Sequence, residues 1–113
     1  MLEIKDTGIL NKIVKHCYRI EKKILNVDNE LFLADEDLQE IVCFNIFQIG
    51  ELAKKLSEKL MEEYNKIPWK YIKGMRDIIG HGYGTIDMNR VWVTAKEDII
   101  ELRKYCEYIL NSN

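Results

Sequence analysis

Proline is almost missing from this chain: Pro68 stands alone among 113 residues, and no low-complexity tract or 20-residue repeat accompanies it. That scarcity excludes a proline-rich linker, and the 47% hydrophobic content excludes a disordered one. Cysteine is scarce too. Cys17, Cys43 and Cys106 are odd in number, share no close spacing and each fall among apolar residues, so neither a disulfide framework nor a zinc site is expected, and buried reduced thiols are. No apolar run approaches the ~18 residues of a membrane span. The opening residues, Met1 to Asp6, lack the basic flank and apolar core of a signal peptide, so a cytoplasmic location is expected. The net charge is only −2, which excludes bulk attraction to nucleic acid; any hold on phosphates must come from a local patch. No metal and no cofactor are expected.

What remains is a chain of one compact domain, residues 1–113, able to bury roughly two-thirds of its surface. Its periodicity is helical throughout, with no convincing two-residue alternation. Asp6 or Thr7 can cap a first helix whose apolar stripe is Ile9, Leu10, Ile13, Val14, Cys17, Ile20 and Ile24. His16, between Lys15 and Cys17, is expected to be a solvated side chain. Residues 26–34 read as a connection pinned by Leu31, Phe32 and Leu33. A second helix is expected from Asp35 to about residue 62, with acidic residues 35–37 complementing its positive end. Its stripe is Leu38, Ile41, Val42, Asn45, Ile49, Leu52, Ala53, Leu56 and Leu60, while Cys43, Phe44, Ile46 and Phe47 make its middle apolar nearly all round. Such a helix needs cover on both sides, either from its own domain or from a homodimer interface. Asn45, Gln48 and Glu51 lie near that apolar surface and need partners; structural hydrogen bonding is the first reading, a site role for Glu51 or Asn45 the second.

A third helix is expected from Pro68, with Trp69, Ile72, Met75, Ile78 and Ile79 on its buried face and Gly80 at its end. Lys66, Lys70 and Lys73 share one of its faces, with Asp77 in line and Arg76 beside it, which suits an approach path for phosphate. Asp87 caps a last helix with the stripe Val91, Trp92, Ala95, Ile99, Leu102, Cys106 and Ile109. The polar groups that chemistry needs gather between Met75 and Asp87. On an unbroken helix His81 would sit about 140° round from Arg76, but Gly80 lets the backbone turn so that imidazole and guanidinium can come level. Glycines at 80, 82 and 84 leave room for a bulky ligand such as a phosphate, and Tyr83 between two of them belongs to no apolar stripe.

Arg76, four residues, His81, Gly82 and Tyr83 together resemble the R-x4-H-x-Y motif of HEPN domains, in the branch of HepT-like toxins encoded beside MNT minimal nucleotidyltransferase antitoxins. Residues Ile49 to Leu56 resemble that branch's second-helix signature. Trp69 to Asp77 resembles the run into its motif, and Asp87 with Val91 and Trp92 resembles the start of its last helix. The resemblance implies an all-α, up-and-down bundle of four main helices. It implies a homodimeric, metal-independent endoribonuclease toxin, with RNA as substrate and the motif at the dimer cleft.

On that expectation Arg76 and His81 are catalytic, with Asp77 orienting one of them. Lys70, Lys73 and Tyr83 bind RNA or its phosphates. In the resembled family a partner nucleotidyltransferase transfers AMP to the tyrosine of this motif, so Tyr83 is expected to become O-AMP-tyrosine. Two competing readings share the same residues. One is a non-catalytic HEPN module that docks a nucleotidyltransferase or nucleotide; the other is a plain bundle in which Arg76 and His81 cap helix carbonyls.

Overall fold

The computed structural model describes residues 1–79 and 85–113, and among them it contains helices and turns with no strand. Gly80, His81, Gly82, Tyr83 and Gly84 lie outside the described residues, and with them the expected helix end at Gly80. The architecture is the expected all-α bundle. Four rods make it: α1 (Ile4–Lys23), α3 (Glu36–Ala53), the pair α5 (Trp69–Lys73) and α6 (Met75–Ile79), and a last rod. That last rod runs from α7 (Met88–Val93) through a π-helical turn (Thr94–Asp98) into α8 (Ile99–Asn111). Two short helices, α2 (Asn29–Ala34) and α4 (Glu58–Glu63), fill the connections. No helix among the described residues is long and apolar enough to cross a membrane.

The core follows the stripes. Leu10, Ile13, Cys17 and Ile20 of α1 meet Val42, Ile46, Ile49 and Ala53 of α3 and Ile99, Leu102, Cys106 and Ile109 of α8. Phe32 is fully buried on α2 and stacks obliquely on Trp92, with ring centroids 5.1 Å apart. Leu31 and Leu33, expected beside it as anchors, are exposed instead, because a single helical turn can point only one of three successive side chains inward. All three cysteines are buried and free. Burial drives every thiol away from ionisation, that of Cys43 up to about 11 and that of Cys106 up to about 12.

Several expected boundaries move, each for a local reason. The first helix starts at Ile4 behind Glu3, without a side-chain cap. Asp6 is buried and accepts from Ser57 instead, at 2.9 Å from its N–H and 2.5 Å from its hydroxyl. The second helix does not reach residue 62. It ends at Ala53, and Ser57 caps the new helix α4 by accepting from the Leu60 N–H at 3.2 Å. Leu56 and Leu60 are buried as expected, one in the turn and one beyond it. The third helix breaks at Gly74, so Lys66 lies in the turn before α5 rather than on one face with Lys70 and Lys73.

His16 is half-buried and bonded, not solvated: its Nδ1 lies 2.7 Å from Asn45 Oδ1. The Asn45 amide nitrogen donates to the Ile41 carbonyl at 2.8 Å, so its oxygen faces His16 and Nδ1 is the donor in that bond. At the other end Asp87 caps the last rod as expected, accepting from the Asn89 and Arg90 N–H groups at 3.1 and 3.3 Å.

Candidate functional site

Arg76 reaches its place through a chain of packing that begins in the turn before α5. The Trp69 indole donates to the Tyr64 carbonyl at 3.0 Å, which seats the start of α5. Ile72 and Met75 then bury against the core, and α5 and α6 both pack on α3. Gly74, itself in the right-handed helical region, joins the two short helices, with the Asp77 N–H donating to the Gly74 carbonyl at 2.9 Å across the joint. The result lays the backbone of Arg76 directly on Gly50 of α3. A methyl group at position 50 would stand 2.6 Å from the Arg76 nitrogen and 3.0 Å from its Cβ.

The Arg76 side chain lies along the same face of α3. Its guanidinium carbon sits 5.4 Å from the centre of the Phe47 ring, within cation–π range. Its Nε lies 2.5 Å from Glu51 Oε1 as an ion pair. Both atoms are closed to solvent and neither makes a regular hydrogen bond, so the N–H is not aimed straight at the oxygen. Lys54 Nζ stands 3.8 Å from the same carboxylate oxygen. On the outer side Arg76 Nη1 donates to Asp77 Oδ1 at 3.4 Å, and that carboxylate is exposed. The guanidinium is thus held from the inside by a partly buried carboxylate and touched from the outside by a solvated one.

Of the residues singled out from the sequence, the structure brings Arg76 and Asp77 together, and adds Phe47, Gly50 and Glu51 of α3. Lys70 and Lys73 lie on α5, before the break at Gly74, and neither forms an ion pair among the described residues. His81 and Tyr83 lie outside the described residues. Among the described residues no cluster of three or more His, Cys, Asp or Glu side chains could hold a metal ion. Glu51, for which structural hydrogen bonding is the first expectation, pairs with Arg76. The signal for it was present, since Phe47, Gly50 and Glu51 are spaced i, i+3, i+4 and so share one helix face.

An all-helical bundle is the fold of HEPN-type proteins, and in this chain the helix that carries Arg76 holds the start of the R-x4-H-x-Y stretch of the sequence. Sequence comparison agrees: the profile of the family described as Ribonuclease HepT-like matches residues 13–109. The chain belongs to that family. Among its relatives is "Putative RNase TTE0752" of Caldanaerobacter subterraneus subsp. tengcongensis, 32% identical over 101 residues that cover 89% of this chain and 90% of that one. "Gamma-glutamylcyclotransferase and putative RNase MJ0434" of Methanocaldococcus jannaschii is 36% identical over 101 residues, 88% of this chain and 46% of that longer protein. "Probable ribonuclease HepT" of Thermococcus cleftensis is 32% identical over 94 residues, 83% of this chain and 86% of that one. No solved structure matches significantly.

Proposed function

We propose that the protein is a metal-independent endoribonuclease and the toxin of a toxin–antitoxin pair, cleaving RNA with Arg76 and His81 at a cleft between two copies of the chain. The observation that carries the reading is the anchored Arg76, set in the motif spacing within a HepT-like sequence. RNA can be cut through its own 2′-hydroxyl. The 2′-oxygen loses its proton to a base and bonds to phosphorus, the bond to the 5′-oxygen breaks, and that oxygen takes a proton from an acid.

His81 is the side chain of the motif suited to exchange protons near neutral pH, and Arg76 can hold two phosphate oxygens in its fork. One chain has one motif histidine, so an acid and a base together call for a second copy across a two-fold axis. The exposed Ile41 and Phe44 on α3, the helix that also holds Arg76, supply an apolar face for that pairing. Asp77 orients Arg76 through its outer contact, while Lys70 and Lys73 draw the RNA backbone to the site.

Control comes from Tyr83 in this reading. A partner nucleotidyltransferase joins the tyrosine oxygen to the α-phosphorus of ATP, and pyrophosphate leaves. The AMP then places a negative phosphate beside Arg76 and His81, where it fills the anion site and repels RNA. Purified protein should cut RNA in the presence of EDTA, leaving 2′,3′-cyclic phosphate and 5′-hydroxyl ends. His81→Ala and Arg76→Ala should each slow it by roughly 10²- to 10⁴-fold. Cleavage that survives both changes, or that stops with EDTA, refutes the assignment. Intact mass after incubation with the nucleotidyltransferase and ATP should rise in AMP units, and Tyr83→Phe should abolish the rise.

A further inference from the structure

We infer that Glu51 is a positioning residue for Arg76, and that Gly50 and Phe47 complete a seat on α3 that presets the guanidinium for phosphate. The inference rests on the ribonuclease reading for its catalytic consequence, though not for its geometry. An arginine that must meet a phosphate with two parallel N–H groups has four side-chain torsions to fix, and each left free lowers the fraction of time the fork is aimed.

One face of α3 limits that freedom here: Gly50 sets the backbone from which the side chain starts, and Phe47 and Glu51 hold its end. Gly50 takes the Arg76 backbone at a distance no side chain would permit, with its virtual Cβ 2.6 Å from the Arg76 nitrogen. The Phe47 ring lies 5.4 Å from the guanidinium carbon. Glu51 meets Nε at 2.5 Å, at atoms closed to solvent. Nε is the nitrogen nearest the stem, so a carboxylate there turns the outer edge of the guanidinium, with its Nη groups, away from α3. Only exposed Asp77 touches that edge among the described residues, at 3.4 Å. A phosphate can displace a solvated contact of that length far more easily than the enclosed one on Nε.

Full-length protein carrying Glu51→Ala, Glu51→Gln and Arg76→Ala, singly and as the Glu51→Ala/Arg76→Ala double variant, tests this with two readouts. In cleavage assays Glu51→Ala should lower kcat about 10- to 100-fold while KM moves less than about threefold, since a misaimed clamp weakens the transition state more than substrate capture. Glu51→Gln, which keeps an oxygen beside Nε but not its charge, should recover part of the loss. In the Arg76→Ala background Glu51→Ala should change nothing further, because Glu51 acts through the arginine. Independently of RNA, the Arg76 Nε–H signal in ¹⁵N NMR should be shifted and slow to exchange in the parent and revert to free-arginine behaviour in Glu51→Ala. Full additivity of the two substitutions, or an Nε–H signal indifferent to Glu51, overturns the proposal. A parent protein that leaves RNA uncut defeats the ribonuclease reading instead, and the NMR signal then decides the seat alone.

Discussion

Asp6, on the first turn of α1, grips Ser57 at two points 51 positions later in the chain, taking its N–H at 2.9 Å and its hydroxyl at 2.5 Å. The serine oxygen in turn accepts from the Leu60 N–H and starts α4. A buried carboxylate therefore fixes where the second rod stops and the next helix begins. Asp6→Ala should cost about 1–3 kcal/mol, since it strands half-buried donors, and Ser57→Ala about 0.5–2 kcal/mol through the lost cap. Because both remove the same contact, the double substitution should cost clearly less than the sum. Urea unfolding of the four proteins measures this, and strict additivity would show that the two residues do not act as one unit.

Lys70 and Lys73 stand on α5 without an ion pair among the described residues, so their charge is available to a polyanion. Replacing either with alanine should weaken RNA binding uniformly across sequences and reduce the slope of log affinity against log salt by roughly 0.7 for a single strand. Fluorescence anisotropy over a salt series reads that slope. An unchanged slope removes these lysines from the RNA path.

Phe44 is 56% exposed and Ile41 38% exposed, three residues apart and so on one face of α3, the face the proposed dimer would cover. Phe44→Glu should convert the proposed dimer to a monomer of the 13.4 kDa chain mass and abolish cleavage along with it. Sedimentation at micromolar concentration decides. A parent protein already monomeric and active would end the composite-site mechanism.

Acid should loosen the joint between α1 and α8. Glu107 accepts from Tyr18 at 2.8 Å and from Arg103 at 2.7 Å, while Arg103 also forks onto Glu21 at 2.7 and 3.0 Å. The Tyr18 hydrogen bond, then that of Arg103, holds the Glu107 carboxyl below its ordinary range. A depressed carboxyl contributes stability above its unfolded value, near 4.3, and loses it as pH falls through the folded value. Tyr18 is shifted the opposite way, chiefly by the same bond, so its contribution is complete below about 10 and fades as pH rises beyond it. Thermal melts should show Tm of the parent falling more steeply below pH 5 than that of Glu107→Gln. Parallel curves would mean the exposed bond is screened to insignificance.

Periodicity alone was enough for the rods of the bundle and their buried faces, because a stripe of Val91, Trp92, Ala95, Ile99, Leu102, Cys106 and Ile109 can hide only as one side of a helix, and all seven are buried. Local chemistry was enough for the Asp87 cap, since a carboxylate reaches the N–H groups two and three residues on without help from elsewhere. Arg76 and Asp77 are neighbours in sequence, and the structure keeps their side chains in contact at 3.4 Å. What sequence could not settle depended on partners distant in the chain. Asp6 has the composition of a helix cap, but Ser57 claims it; His16 looks like a wet surface residue, but Asn45 reaches it across two helices. Glu51 reads as one polar residue among several on α3. It becomes the partner of Arg76 only because Gly50 lets α6 settle against that helix, a contact between residues 26 positions apart that no local pattern encodes. Side-chain direction along a helix is a local property, whereas the identity of the group it meets is decided by which backbones can approach, and here that is the work of a glycine.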